Sequence, residues 1–353
     1  MYEPSFQLIM IFQNTIIEWY NKNKRDLPWR NTTDPYKVWI SEIILQQTKV
    51  SQGLPYYNRF ITEFPTITDL ANSTEDQVLN LWQGLGYYSR ARNLLFTARL
   101  IRDKYHSIFP SDYNSIRELK GVGDYTSAAI SSFCFKLPYA VLDGNVFRLL
   151  SRYFAIDTPI DSSAGKKTFQ KMSQELICKK NPDVYNQAIM EFGAIQCLPK
   201  NPICSDCVLN SSCKSYGTDL VELLPVKSKS IKVSKKYFNY IIFISGDNTF
   251  IHKRNKGIWK SLYQFPLIEG EFTFNEIKDL QEWNELVNDE NVSLKFSSFT
   301  IKHKLSHQLI HAVFHHVEVD NIISEKYLRI NWSNLDDYPF PRLIDKYLES
   351  LKK

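Results

Sequence analysis

The chain has 353 residues, 43% of them hydrophobic, with 43 Lys and Arg against 38 Asp and Glu. That length allows two or three domains, and that composition suits a chain that builds a core. No apolar run reaches the roughly 18 residues of a membrane span, and the start, MYEPSFQLIM, has no basic segment ahead of an apolar one. Neither a membrane partner nor a secretory signal is expected. The expected location is cytoplasmic, inside a cell, where stable disulfides are rare. The charge is uneven: +4 over residues 1–214, +3 over 215–236 and −2 over the rest. A basic first half fits a polyanion partner, and it equally fits ordinary solubility.

Residues 5 to about 195 read as helices. Apolar residues recur at three- and four-residue spacing, and FPTITDLANST and NPDVY look like helix entries. Early in this half, RDLPWR sets Trp29 between Arg25 and Arg30. The next helix, YKVWISEIILQQT, is apolar almost all round, and Glu42 has Val38, Trp39 and Leu45 at helical-neighbour spacing. Burial among such residues raises a carboxyl pKa, which suits a general acid near neutral pH. The plain alternatives are a surface Glu or one paired to an Arg. LWQGLGYYSRARNL joins two glycines and two tyrosines to Arg90 and Arg92, with Arg99 shortly after. Aromatics beside basic residues suit base stacking with nearby phosphate contacts. A core cluster around Trp82 is the ordinary alternative.

SIRELKGVGDYTSAAISSF places Gly121, Val122 and Gly123 between two helical runs. A glycine hairpin at a helix N-terminus leaves backbone N–H groups open to an anion. A plain helix–turn–helix connection reads the same way. Asp143, in AVLDGNVFRLL, stands directly ahead of a helix, the place of an ordinary N-cap.

Four of the six cysteines close this half in the pattern C-x6-C-x2-C-x5-C: Cys197, Cys204, Cys207 and Cys213. The spacing leaves zinc, an iron–sulfur cluster and disulfides open. Cys134 and Cys178 read as small buried hydrophobes. The stretch 215–236, SYGTDLVELLPVKSKSIKVSKK, is polar and lysine-rich and reads as a linker. Beyond it, YFNYIIFIS, TFIHKRN and HAVFHHVEVD read as strands. NEIKDLQEWNELV reads as one intervening helix, and PFPRLIDKYLESLKK as a final one. His303, His311, His315 and His316 read as strand residues rather than metal ligands.

Six motifs in one order, LPWR, WISEIILQQT, GLGYYSRARNL, LKGVGDYTSAAI, VLDGNVFRLL and the cysteine pattern, resemble the helix-hairpin-helix DNA glycosylases of the endonuclease III superfamily. Among these the chain is similar to the MutY-type adenine DNA glycosylases. The resemblance implies a multidomain fold. An all-α region over 1–214 would come first, with about 22–134 as a six-helix barrel carrying the hairpin and 1–21 plus 135–214 as an iron–sulfur domain. After the linker, 237–353 would form an α+β Nudix-like domain.

It also implies roles. Cys197, Cys204, Cys207 and Cys213 would hold a [4Fe-4S] cluster, with Lys200 and Lys214 nearby. Glu42 would protonate adenine at N7, and Asp143 would stabilise an oxocarbenium-like sugar, with Tyr125 and Asn145 at the same centre. The adenine pocket would take Arg25, Trp29, Arg30 and Glu191. Gln47 and Tyr87 or Tyr88 would enter the DNA helix beside the lesion, Leu85 would also bind DNA, and Gly121, Val122 and Gly123 would meet its backbone. Lyases of the superfamily carry a lysine at the position of Tyr125, and a phenol cannot form a Schiff base. Lys120 lies at a different position, so base removal without strand cleavage is expected.

In the second domain, NEIKDLQEWNELV lacks the R-E-x-x-E-E pattern of a working Nudix hydrolase, which leaves a binding role. Leu305-Ser306-His307 stands where relatives often have Phe-Ser-His, and would contact 8-oxoguanine. The partner expected is double-stranded DNA with adenine opposite 8-oxoguanine or guanine, met by a monomer. An endonuclease III-like lyase on oxidised pyrimidines and a silent DNA-binding iron–sulfur protein are the competing readings.

Overall fold

The computed structural model describes residues 5–228, 233–287, 292–322 and 324–352. By contact the chain divides into two units. One comprises Met1–Asn72 and Asn93–Ser230, the other Ser73–Arg92 and Ile231–Lys353. Residues 229–232 of the expected linker lie outside the described residues.

The first unit is helical. In chain order it holds α1 (Phe6–Asn23), α2 (Pro35–Leu45), α3 (Val50–Glu63) and α4 (Ile67–Asn72). A short α5 (Glu75–Leu81) falls in the other unit, and α6 (Ser89–Lys104) begins there and runs back into the first. α7 (Tyr113–Arg117), α8 (Asp124–Phe135), α9 (Gly144–Phe154), α10 (Ser163–Leu176), α11 (Pro182–Ile195) and α12 (Leu220–Leu223) follow. α2 starts where Asp34 caps the Tyr36 N–H at 2.9 Å and Pro35 takes a position that needs no donor. Every residue from Val38 to Ile44 on it is buried. α8 packs against α2, and its TSAAISS stretch keeps the two backbones close. α11 packs against α1, α8 and α9.

The second unit builds its sheets from β1 (Ser234–Ile244), β2 (Asn248–Lys253), β3 (Tyr263–Gln264) and β4 (Leu267–Glu269). After α13 (Phe274–Lys278) and α14 (Gln281–Asn284) come β5 (Ser293–Ser297), β6 (Ile301–Lys304), β7 (Gln308–Glu318), β8 (Leu328–Asn331) and α15 (Arg342–Leu351). One sheet runs β4-β1-β7-β5, with β6 also on β7; the other runs β3-β2-β8. β1 and β7 are parallel, with Tyr240 opposite Phe314.

Alternation along β1 sorts the core. Phe238, Tyr240 and Ile242 face the cluster that holds Leu343, Ile344 and Tyr347 of α15. Ile241 and Phe243 face the cluster that holds Ile277 and Trp283. The single helix expected over NEIKDLQEWNELV is two short ones. Leu280 between them is extended, with ψ 148°. Six residues apart on one helix, Ile277 and Trp283 would point about 120° apart; the break turns both into the same core.

Residues 73–92 group with this unit through named bonds. Lys253 pairs with Asp76 at 2.6 Å, Asn80 donates to the Asp337 carbonyl at 3.0 Å, and Arg92 to the Lys260 carbonyl at 2.7 Å. Among the described residues, no helix is long and apolar enough to cross a membrane.

Candidate active site

The helical unit carries a cavity of about 160 Å³. Sites for drug-sized ligands begin near 300 Å³, so this one suits a group the size of a single base. α2 brings Glu42, α8 brings Tyr125, and the N-terminus of α9 brings Asp143 and Asn145. Arg25, Trp29 and Arg30 reach it from the segment before α2, and Glu191 from α11. All eight residues expected for catalysis and the adenine pocket line this one cavity.

Glu42 is 6% exposed. Burial lifts its carboxyl to about 7. The neighbouring Tyr125 hydroxyl opposes that lift, the Asp143 charge adds to it, and Arg30 opposes it. Asp143 is also raised by burial, against the bonds that cap α9. Its Oδ1 accepts from the N–H groups of Asn145 at 2.9 Å and Val146 at 2.8 Å, and its Oδ2 accepts from Asn145 Nδ2 at 2.8 Å. Asp143 is therefore an N-cap and a cavity residue at once. Burial and the two carboxylates push the Tyr125 phenol well above its usual range, so it keeps its proton; its Oη donates to Met190 Sδ at 3.2 Å.

Glu191 behaves in the opposite way. Burial pushes it up, but bonds from Arg25 and Arg30 outweigh burial and hold it at about 2. Arg25 Nε donates to Oε1 at 2.8 Å, and Arg30 donates to Oε1 at 3.0 Å and Oε2 at 2.6 Å. Both guanidiniums are committed to Glu191, and Trp29 is 8% exposed against Tyr57.

One partner was missed in the sequence. Arg148 Nη2 donates to Asn145 Oδ1 at 2.9 Å, and Arg148 Nε donates to the Cys197 carbonyl at 2.8 Å. It stands in the quoted stretch AVLDGNVFRLL, but nothing in its spacing separates it from a surface arginine. Gly193 was missed too: a Cβ there would sit 2.8 Å from Asn145 Cβ, so only glycine lets α11 approach.

The residues expected to meet DNA divide by exposure. Gly121 has φ +86°, and a Cβ there would meet Asn93 at 2.9 Å. Gly121 and Gly123 are exposed while Val122 is buried, so the hairpin turns its backbone outward. Lys120 lies over the Phe96 ring at 4.4 Å and is not among the cavity residues. Gln47 is exposed with φ +57°.

In the second unit, Tyr87 is 46% exposed with φ +49°, whereas Tyr88 and Leu85 are buried. Of the tyrosine pair, Tyr87 alone is presented. The arginines expected to meet phosphate are tied locally: Arg90 donates to the Gly86 carbonyl and lies over Trp82, Arg92 bonds the Lys260 carbonyl, and Arg99 donates to the Ala71 carbonyl. Leu305 N–H bonds the Gln308 carbonyl at 2.8 Å, closing a tight turn with Ser306 and His307 exposed at its tip. Tyr87 Oη bonds Ser306 Oγ. His315 bonds Ser297, His316 bonds Tyr347, and burial pulls both imidazoles down to about 4.

Cys197, Cys204, Cys207 and Cys213 border one cavity of about 30 Å³. Arg152 Nη1 lies 3.4 Å from Cys197 Sγ and donates to the Leu198 carbonyl at 2.7 Å. Burial is the main cause that lifts the Cys207 thiol to about 11. Among the described residues, no three His, Cys, Asp or Glu side chains are gathered tightly enough for a single metal ion. Cys134 and Cys178 are free and half-buried rather than fully buried.

Residues 40–175 match the HhH-GPD superfamily of base excision DNA repair proteins, and residues 239–350 match the NUDIX domain. A thermostable thymine-DNA glycosylase aligns over 59% of this chain and 96% of its own at TM-score 0.55 and 29% identity. An endonuclease III–DNA complex, at 20% identity, TM-score 0.52 and 60% of this chain against 97% of its own, shows the same fold. The adenine DNA glycosylase of Buchnera aphidicola subsp. Baizongia pistaciae (strain Bp) is 37% identical over 98% of this chain and 97% of its own length. That of Homo sapiens is 38% identical over 59% of this chain and 40% of its own. The fold and the matched family are those of a base excision repair glycosylase. The chain belongs to the adenine DNA glycosylase family, whose members are DNA N-glycosylases.

Proposed function

We propose that the protein, acting as a monomer inside the cell, hydrolyses the N-glycosidic bond of adenine opposite 8-oxoguanine or guanine in duplex DNA. One observation carries the reading: a carboxyl poised at about 7, Glu42, shares a base-sized cavity with the capped carboxyl of Asp143. The adenine leaves the stack to reach it. Protonated Glu42 donates to N7, and the departing base takes the bonding electrons. Asp143 faces the cationic sugar, and ionised Glu42 then accepts a proton from the attacking water, as one carboxyl aids departure and the other holds the sugar in glycoside hydrolysis. Asn145 and the α9 N–H groups fix Asp143. Tyr125 offers a hydroxyl, and no lysine is among the described cavity residues, which supports base removal without strand cleavage.

Residues 1–214 would carry this chemistry, and 237–353, together with Tyr87, the reading of 8-oxoguanine through the Leu305-Ser306-His307 turn. Leu305 keeps an apolar contact without an aromatic face. The four cysteines fit a [4Fe-4S] cluster: soft thiolate donors border one void, and Arg152 sets positive charge beside Cys197. The cluster would shape the 197–213 loop and takes no part in the bond-breaking steps above.

Single-turnover assays on duplexes with adenine opposite 8-oxoguanine, guanine or thymine, each with and without alkali, test the reading. Cleavage only after alkali, fastest opposite 8-oxoguanine and absent opposite thymine, is expected. Strand breaks without alkali would point to a lyase, and no cleavage from iron-replete protein would sink the substrate assignment.

A further inference from the structure

The second unit holds a cavity of about 510 Å³ walled by the loop before α6, by Gly257–Trp259 and by the Lys304–Gln308 turn. Trp259 on its wall has φ +61°, and Ser261 has φ +69°. A bulky residue in the left-handed region is an outlier. Strained backbone persists where its surroundings over-determine it, and such strain gathers at ligand-holding positions. Here Ser261 N–H bonds the Arg254 carbonyl at 2.8 Å, Leu262 N–H the Trp259 carbonyl at 3.0 Å, and Arg92 the Lys260 carbonyl at 2.7 Å. The indole is braced edge-on by Phe238 at 6.2 Å and His303 at 5.9 Å, yet stays partly open to the cavity. Tyr87 and Lys304 line the same space. Aromatic faces beside cations are the chemistry that takes a nucleobase with its phosphate.

We propose that Trp259 is a specificity-determining residue whose indole packs the base opposite the target adenine, a purine, against the Ser306 turn. A hydroxyl both donates and accepts, so Ser306 discriminates 8-oxoguanine from guanine only when the base edge is held in register. The indole supplies that hold. The proposal rests on the second unit being the lesion reader.

Equilibrium binding by the full chain tests it, in a Glu42→Gln background so that DNA is not turned over. Duplexes carry adenine opposite 8-oxoguanine or opposite guanine. Trp259→Ala is expected to lower the preference for 8-oxoguanine about fivefold, the scale of the one Ser306 hydrogen bond that the indole holds in register, and Trp259→Phe to keep most of it. Trp259→Gly loses the same packing but is free of the left-handed strain, so it is expected to melt above Trp259→Ala yet lose the preference as the alanine variant does. If the parent prefers 8-oxoguanine and Trp259→Ala keeps that preference, the proposal falls alone. A parent without preference would overturn the lesion-reader reading and the proposal with it. Preference lost only in step with a lower Tm across all three variants would show a structural role and overturn the proposal.

Discussion

Glu42 and Glu191 are both buried, and their carboxyls move in opposite directions. Glu42 sits beside a second acid and a phenol; Glu191 is held by two guanidiniums. A general acid contributes about 10²–10⁴ in rate. Glu42→Gln is therefore expected to slow excision at least 100-fold while leaving duplex binding intact, read by single-turnover rates beside binding titrations. In the wild type, the excision rate should fall as pH rises through about 7, because the proton-donating form is lost.

Stability follows the same proton. The folded carboxyl titrates at about 7 and the free one at 4.5. Across that window the folded state binds more protons than the unfolded chain. Stability should thus drop by about 3 kcal/mol as pH rises from 4.5 to 7; denaturant titrations should show this slope vanish in Glu42→Gln. Glu191 has the reverse sign: its contribution is present above about 4.5 and lost as pH falls toward 2. Glu191→Gln leaves two arginines without their anion, and a loss of about 3 kcal/mol is expected in the same titrations.

At the scale of elements, α9 links two sites of the helical unit. Its N-terminus holds Asp143, and one turn further Arg148 bonds both Asn145 and the Cys197 carbonyl. Arg152, another turn on, reaches Cys197 Sγ. Misplacement of a reacting group by about an ångström slows chemistry on the order of 100-fold. Arg148→Gln is expected to slow excision by that order with duplex affinity kept. An unchanged single-turnover rate would show that the α9 cap alone holds Asp143. The β6–β7 turn shows a different economy: two exposed residues, Ser306 and His307, sit on a turn closed by one backbone bond, with Tyr87 braced against the serine.

At the scale of the molecule, the cysteine loop joins elements that are distant in sequence. Arg152 bonds Leu198 and Pro199 carbonyls on one side and the Leu224 carbonyl on the other, so the loop and the start of the linker share one buried guanidinium. If the loop holds a [4Fe-4S] cluster, purified protein should carry about four irons per chain and absorb in the visible. Cys207→Ala should lose that absorbance and lower the Tm; one bound zinc per chain would decide the metal the other way. Removing the cluster should also speed hydrogen exchange across 197–213, because thiolate–metal bonds are folding energy for such loops.

Much of this was legible in the chain. Apolar residues all round Glu42 announced a buried acid, because desolvation depends on neighbours that a helix brings from three and four residues away. The glycines of the hairpin, the tight cysteine spacing and the period-two strands are likewise local, and local geometry is written in local sequence. Four decisions needed the tertiary fold. Arg25 and Arg30 are pocket struts because Glu191, more than 160 residues on, meets them. Tyr87 is presented and Tyr88 buried, though the two are neighbours. The helix between β4 and β5 breaks so that Ile277 and Trp283 reach one core. Residues 73–92 bond with β2 and the segment after β8 rather than staying with their helical neighbours in sequence. Each turns on which distant surface a side chain meets, and that is set by the packing of the whole chain, not by the residues on either side.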